Sequence, residues 1–395
     1  MSDNDTRNHI KQIIRSFRIK NIETPIDKQV TPKELNDVIK RLNVKKKTPG
    51  IDEIQNTHLK NLPRKGKMQL FCIIKACLHL QHFPEEWKKA KIVPIAKPSK
   101  DKMFASNYRP ISLLSNIGKI YEKILLNRLI TADNKIINEQ FGFRQKRDTT
   151  MQLASFVDNI CYNFNINKST SMLTLDIERS FDTVWHGRRI AKLIEQELPE
   201  YLIKTTISYL QGRTFQTTIQ DTLSTSFKIP AGVPQGSLLA PTLFTYFIND
   251  LPKHPNTELA LFADDTAIYS NSFKLNKAND YLQRNITEFE KFYNKWKIRV
   301  NTDKTKLIHF TKKTKEKNIK QLTFNNDIIK TEKEIKYLGV ILDSKLNFNS
   351  HINKVTSKAT GAITALYPLL SGYSPLKKEL KTFLCKQFIY LLLIL

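Results

Sequence analysis

Cysteine is scarce in this 395-residue chain, and the four present, Cys72, Cys77, Cys161 and Cys385, are scattered. That spacing argues against a disulfide scaffold and suits a reducing compartment. Long apolar runs are missing as well. The longest aliphatic stretch, Phe388 to Leu395, falls far short of the ~20 residues that span a bilayer. The first ten residues are polar, which argues against a secretory leader. Acidic residues are outnumbered: 37 Asp and Glu stand against 64 Lys and Arg, a net charge of +27. Such an excess opposes compaction by self-repulsion and favours a polyanionic partner, whether a membrane surface or a nucleic acid. An apolar content of 40 %, with 22 Phe and 13 Tyr, is nevertheless too high for a disordered chain. The length suggests two or three packed subdomains rather than one core, and no internal repeat is present.

One cluster, Cys72, Cys77, His79 and His82, has the residue types of a zinc site. Apolar spacing predicts a helix over 66–82, which turns Cys77 away from Cys72 and His79 and leaves no close Cys pair. These are read as ordinary helix residues.

Local signals give an order of elements. Thr31-Pro32 opens a helix with Leu35, Val38, Ile39 and Leu42 on one face. Residues 91–98 read as a short strand ending in a basic turn, and 118–130 as an amphipathic helix facing inward through Ile120, Ile124, Leu125 and Leu129. An apolar strand from Met172 ends at Asp176, and a helix follows Trp185. Residues 215–219 and 226–229 read as paired strands, and 237–251 as a long apolar helix. Residues 259–263 and 266–269 flank Asp264-Asp265 in the pattern of a strand, tight turn and strand. A helix over 278–296, strands near 307–310 and 335–342, and helix from 350 onward complete the series.

Two adjacent carboxylates at a tight turn repel one another unless a cation neutralises them, although turns also favour Asp for backbone reasons alone. The third carboxylate, Asp176, closes another apolar strand. If the two strands are neighbours in one sheet, the trio gathers around shared cations. Hard oxygen donors and a phosphate substrate favour Mg²⁺, two ions of it, with Mn²⁺ as a substitute. In-line attack of a primer 3′-oxygen on an α-phosphate requires such a clamp.

Taken in order, the motifs resemble the reverse transcriptases of non-LTR retrotransposons, close to the jockey-like LINE elements. The blocks are Thr48-Pro49-Gly50-Ile51-Asp52, Trp87 to Pro98, Asn107 to Leu114, Asn138 to Arg144, and Leu175-Asp176 through Trp185-His186. Gly232 to Ser237, Phe262-Ala263-Asp264-Asp265, Asn301 to Thr305 and Tyr337-Leu338-Gly339-Val340 follow. The resemblance runs almost end to end. It implies an α+β right-hand polymerase: a helical basic extension over 1–84 and fingers over 85–170. A palm with a mainly antiparallel sheet spans 171–348, with a finger-like insertion about 188–230, and a partial helical thumb spans 349–395.

The resemblance also implies roles. Asp176, Asp264 and Asp265 are similar to the catalytic aspartates, the first two as direct metal ligands, and the Ile177 carbonyl adds a metal contact. Phe181 resembles the gate that excludes a 2′-hydroxyl. Lys97 and Arg109 resemble the cations on the triphosphate, and Gln235 with Gly236 approaches the incoming nucleotide. Lys304 is the candidate general acid on pyrophosphate, with Lys306 close enough to compete. The lysines from 304 to 320 form a backbone-binding face. Implied partners are an RNA template, a DNA primer or target DNA and dNTPs, with no membrane and with oligomeric state open; the implied location is intracellular, in nucleus or cytoplasm. The polymerase blocks begin within the first fifty residues and the chain stops at Leu395 among aliphatics. The expectation is therefore a truncated copy without its own endonuclease, whose alternative fate is a non-catalytic nucleic-acid-binding relic. An RNA-synthesising polymerase is the neighbouring alternative, against which Phe181 speaks.

Overall fold

In the computed structural model, which describes residues 3–19, 25, 28–45, 48–98, 101–131, 136–177, 184–220, 222–313 and 318–390, the chain opens on helices, mixes helices and strands through its centre, and closes on a run of strands followed by helices. In chain order the strands are β1 (Lys89–Ala96), β2 (Tyr108–Leu114), β3 (Ser169–Asp176), β4 (Thr214–Ile219), β5 (Thr222–Leu223), β6 (Phe227–Lys228) and β7 (Glu258–Phe262). There follow β8 (Asp265–Ser272), β9 (Lys306–Phe310), β10 (Thr323–Phe324), β11 (Asp327–Ile328), β12 (Lys330–Glu332), β13 (Glu334–Tyr337) and β14 (Val340–Asp343). The residues divide into two compact units. The first comprises Met1–Gln145, Ile177–Leu251 and Lys291–Arg299; the second comprises Lys146–Asp176, Pro252–Glu290 and Val300–Leu395.

In the first unit, the helix Pro32–Lys40 starts where the sequence places it. Pro32 sits in the first turn, and the Thr31 hydroxyl accepts from Glu34 N at 3.1 Å. Leu35, Val38 and Ile39 are buried. The helix Asn116–Thr131 buries Ile120, Ile124, Leu125 and Leu129 as its spacing predicts. Phe83 lies in the same core, stacked on Tyr121 with ring centroids 5.4 Å apart and edge-on to Tyr209 at 5.2 Å. The sheet runs β2-β1-β4-β5, with β6 also on β4. β1 pairs antiparallel with β2 from Ala90 to Ala96, but parallel with β4 only over Lys89–Ile92. Pro94 therefore lies past the β4 ladder, where its missing N–H costs no bond to that strand.

The helix expected over 237–251 is shorter, Ala240–Phe247. The reason is a cap: Ser237 Oγ accepts from Leu239 N at 3.1 Å and Ala240 N at 3.3 Å, so the chain enters the helix late. On the helix Arg64–His79, Cys72 is exposed while Cys77 is buried, and burial pushes the Cys77 thiol up to about 11. The two sulfurs face different surroundings, as helical geometry requires.

The second unit is built on a sheet of order β12-β9-β3-β8-β7, antiparallel except for β12 on β9. β3 is interior and reads as a nearly continuous buried strand. The helix Thr149–Asn165 packs on it, capped by Asp148, whose carboxylate accepts from Met151 N at 2.8 Å. Phe156 of that helix meets Tyr269, Phe310 and Tyr337 at centroid distances of 5.0, 5.8 and 5.9 Å. The single strand expected over 335–342 is instead the hairpin β13–β14. Leu338 and Gly339 form its two-residue loop, both at positive φ (44° and 93°), the signature of a type I′ turn. Apolar alternation continues through such a turn, which is why the sequence reads as one strand. Helices Asn349–Leu370 and Lys378–Cys385 follow. The class is mixed α and β with mainly antiparallel sheets, as expected. Among the described residues no helix is long and apolar enough to cross a membrane.

Candidate active site

The carboxylates are brought together by strand register in the second unit. Asp176, the last residue of β3, is the direct antiparallel partner of Asp265, the first residue of β8. Directly opposed residues on neighbouring strands have Cβ atoms about 5 Å apart. β8 is joined to β7 by a two-residue loop, Ala263-Asp264, closed by the Phe262–Asp265 pair. Ala263 is buried and stands at φ +58°. A left-handed conformation with a side chain attached costs of order 1 kcal/mol, a strain that clusters at functional sites. The turn thereby puts Asp264 at the hairpin tip beside the Asp176–Asp265 pair.

Electrostatics follow from that crowding. The Asp265 carboxyl keeps contact with solvent, yet it is raised above the ordinary 3.8. Partial desolvation is the largest cause, followed by the charges of Asp264 and Asp176, with Lys336 opposing. Asp176 has a cation of its own: Lys304 Nζ donates to Asp176 Oδ2 at 3.1 Å, and both side chains are well exposed. The Asp176 carbonyl accepts from Asn301 N at 2.8 Å, which ties the turn carrying Lys304 to the strand end. Lys306 points elsewhere and pairs with Glu332 Oε1 at 3.3 Å. A cavity of about 290 Å³ beside Asp265 is lined by Thr174, Thr266, Lys336 and the Leu338-Gly339 turn. Among the described residues no three His, Cys, Asp or Glu side chains already stand in a metal-ligating cluster. The donor set itself suits a hard divalent cation: three carboxylates, one of them raised by desolvation and then by its like-charged neighbours.

The nucleotide-facing candidates lie in the first unit. Lys97 follows β1, and its N–H donates to Asn107 O at 2.8 Å, extending the β1–β2 ladder. Arg109 on β2 is paired with Ile95 and is exposed. Opposed and alternate residues of an antiparallel pair share a face, so Lys97 and Arg109 emerge on the same side of the hairpin. Gln235 O accepts from Ser112 N at 2.8 Å. Gly236 stands at φ +135° with Ser112 O only 2.4 Å from where a Cβ would be, so no other residue fits. Ile177 is buried directly after Asp176. Phe181 lies outside the described residues.

Two sets of residues escaped the sequence reading. Lys336 faces the Asp265 cavity, yet among so many lysines only its place in the β13 alternation marks it. Trp185 and His186 belong to a motif, but their task is visible only in the fold. Trp185 bridges Ala231, Gly232 N donates to Val184 O at 2.9 Å, and His186 Nε2 donates to Gly232 O at 2.7 Å. Burial lowers the His186 pKa, which keeps the ring neutral in that role. The segment after β3 thus anchors the loop that presents Gln235.

Residues 95–342 match the family model described as Reverse transcriptase (RNA-dependent DNA polymerase). The chain belongs to the reverse transcriptase family. It is 33 % identical over 386 residues to the probable RNA-directed DNA polymerase from transposon BS of Drosophila melanogaster, covering 93 % of this chain and 42 % of that protein. It is 35 % identical over 338 residues to the RNA-directed DNA polymerase from mobile element jockey of the same species, covering 82 % and 36 %. A putative 115 kDa protein in the type-1 element R1DM is more distant, 26 % identical over 370 residues. The resemblance drawn from the motifs, to non-LTR reverse transcriptases of jockey type, holds over most of the chain. The chain spans about two fifths of the length of the first two relatives.

Proposed function

We propose that this chain is an RNA-directed DNA polymerase that transfers a nucleotide from a dNTP to a primer 3′-hydroxyl, on an RNA template supplied by a mobile element. The observation that carries the reading is the Asp176–Asp265 register beside the strained Ala263-Asp264 turn. Asp176 and Asp264 would hold two Mg²⁺ ions, with Asp265 and the Ile177 carbonyl beside them; Mn²⁺ has the same preference for oxygen. Bound at those carboxylates, such ions would supply activation of the attacking hydroxyl and charge neutralisation at the leaving pyrophosphate. Lys304, whose Nζ donates to Asp176 Oδ2 at 3.1 Å, is the candidate proton donor to pyrophosphate. Arg109 and Lys97 supply triphosphate contacts, the guanidinium gripping two oxygens and the ammonium acting as a point charge. Gln235 and Gly236 present backbone and amide to the nucleotide, and Phe181 excludes the 2′-hydroxyl. A net charge of +27 supports template and primer binding that weakens steeply with salt. Action on chromosomal target DNA, in nucleus or cytoplasm, belongs to the same proposal.

The test is extension of a DNA primer on an RNA template at low salt, with Asp264→Asn as control. Mg²⁺-dependent product that the variant fails to make supports the reading. Salt-sensitive binding with no product from the parent chain leaves only a non-catalytic nucleic-acid-binding protein. Phe181→Ala should admit ribonucleotides, and unchanged sugar selectivity would remove the gate assignment.

A further inference from the structure

Beneath the Gln235-Gly236 turn lies a buried polar network that no step above uses. Glu122, on the helix Asn116–Thr131, is 1 % exposed. Its Oε2 accepts from Leu238 N at 2.6 Å and from the Ser237 hydroxyl at 2.9 Å. Ser237 Oγ in turn accepts from the Tyr209 hydroxyl at 2.6 Å. Arg213, 1 % exposed, lies over the Tyr209 ring at 4.5 Å and donates from Nη1 to Tyr209 O at 3.0 Å. Burial is the largest influence on Glu122 and raises its pKa, while the charge of Arg213, the hydrogen bonds from Leu238 and Ser237 and the charge of Lys119 oppose that rise. On the other side of the turn, Ser112 N binds Gln235 O.

A carboxylate is costly to bury, and a core side chain would fill the same volume without that cost. What Glu122 does that an apolar residue cannot is accept from the two residues that directly follow Gly236. One oxygen fixes both the Leu238 amide and the Ser237 hydroxyl. Ser112 fixes the residue before Gly236 through the main chain. The turn is therefore held from both ends at positions 235 and 237–238, with the left-handed glycine between them.

We infer that Glu122 is a positioning residue for the incoming nucleotide: acting through Ser237 and Leu238, it sets the Gln235-Gly236 turn at the height from which Gln235 meets the nucleotide. This rests on the reading of Gln235 as nucleotide-facing. Glu122 touches neither substrate nor metal, so its removal should act on nucleotide affinity rather than on the chemical step.

The decisive measurement compares parent, Glu122→Ala and Glu122→Gln in steady-state extension of a DNA primer on an RNA template, with amide hydrogen exchange on the same proteins. Glu122→Ala should raise the dNTP KM about tenfold, the size expected when two buried hydrogen bonds are lost, with kcat within about threefold. Glu122→Gln keeps the length and one acceptor oxygen, and should restore most of that loss. The Leu238 amide should exchange at least about tenfold faster in Glu122→Ala, while amides in the middle of Asn116–Thr131 change by less than about twofold. A merely structural carboxylate would behave differently: folded protein and Vmax would fall at constant KM, and exchange would rise along the whole helix. That pattern, or an unchanged Leu238 amide, overturns the inference. If Glu122→Ala does not fold, Glu122→Gln decides by the same two measurements, with an intermediate rise in KM and in Leu238 exchange expected. Gln235→Ala separates the premise from the inference. An unaltered dNTP KM in that variant removes the nucleotide-facing role of Gln235, whereas the Leu238 amide still reports whether Glu122 clamps the turn.

Discussion

Lys304 Nζ stands 3.1 Å from Asp176 Oδ2, whereas Lys306, two residues further on, turns to Glu332. The sequence leaves both lysines as candidates for the proton donor, and the strand geometry separates them. Lys306 belongs to β9, where its backbone pairs with Thr174; Lys304 lies in the turn before it, tied to the end of β3 through Asn301.

Replacement of each lysine in turn should therefore discriminate between them. Lys304→Ala is expected to lower kcat about 10²-fold, the usual size of a general-acid contribution. Lys306→Ala should stay within about twofold, as for other exposed substitutions. Single-turnover extension makes the comparison, and equal losses in both variants would remove the assignment.

The carboxylate cluster predicts a metal-dependent stability. Asp265 is raised above 3.8, so the folded state holds its proton more tightly than the unfolded chain does. Stability present at pH below 3.8 is then lost as pH rises through the raised value. At neutral pH, without metal, the cluster is a net cost, and Asp265→Asn should melt higher than the parent. Saturating Mg²⁺ should reverse that order, adding about 2.7 kcal/mol at a hundredfold excess over Kd. Asp264→Asn should shrink the increment in a thermal melt, and an increment of unchanged size would place the ions elsewhere.

Gly236 admits no side chain without displacement of β2, because Ser112 O occupies the Cβ position. Gly236→Ala is expected to cost about 2 kcal/mol or more in a denaturant titration and to raise the dNTP KM. A full-strength variant with native KM would show that the turn tolerates the shift.

His309 supplies a second pH signature, distant from the carboxylates. Its ring is buried, shares a hydrogen bond with Ser171 Oγ at 2.9 Å, and is lowered by burial from 6.5 to about 4. Between those values the unfolded state binds the extra proton. Stability is therefore whole above 6.5 and falls as pH drops toward 4, by up to about 1.4 kcal/mol per pH unit. His309→Gln should flatten that part of the profile in urea titrations, and an identical slope would assign the loss to other groups.

Much of this arrangement is legible from residue order. Asp176 at the end of one apolar strand and Asp264-Asp265 between two others mark where the carboxylates stand, while the register that makes β3 and β8 neighbours is seen only in the sheet. What remained hidden has physical causes. The helix after Gly236 is shorter than its apolar length suggests, since Ser237 turns its hydroxyl to capping. The type I′ turn at Leu338-Gly339 leaves the alternation around it intact, so a hairpin reads as one strand. Glu122 and Arg213 look like surface charges in sequence; only packing shows them buried. Lys336 is one lysine among many until β13 sets it beside Asp265.

The division of the chain into segments has a consequence for synthesis. The first unit draws on Met1–Gln145, Ile177–Leu251 and Lys291–Arg299, and its core requires residues as late as Tyr209 and Tyr246. Residues up to 145 must wait for 154 more before their unit is complete. At ribosomal rates of 5–20 residues per second this is a delay of about 8–30 s. Within it the helix Asn116–Thr131 is covered in two stages: Phe83 and the helix Pro32–Lys40 can pack on it at once, whereas the Leu129 carbonyl waits for the Tyr246 hydroxyl.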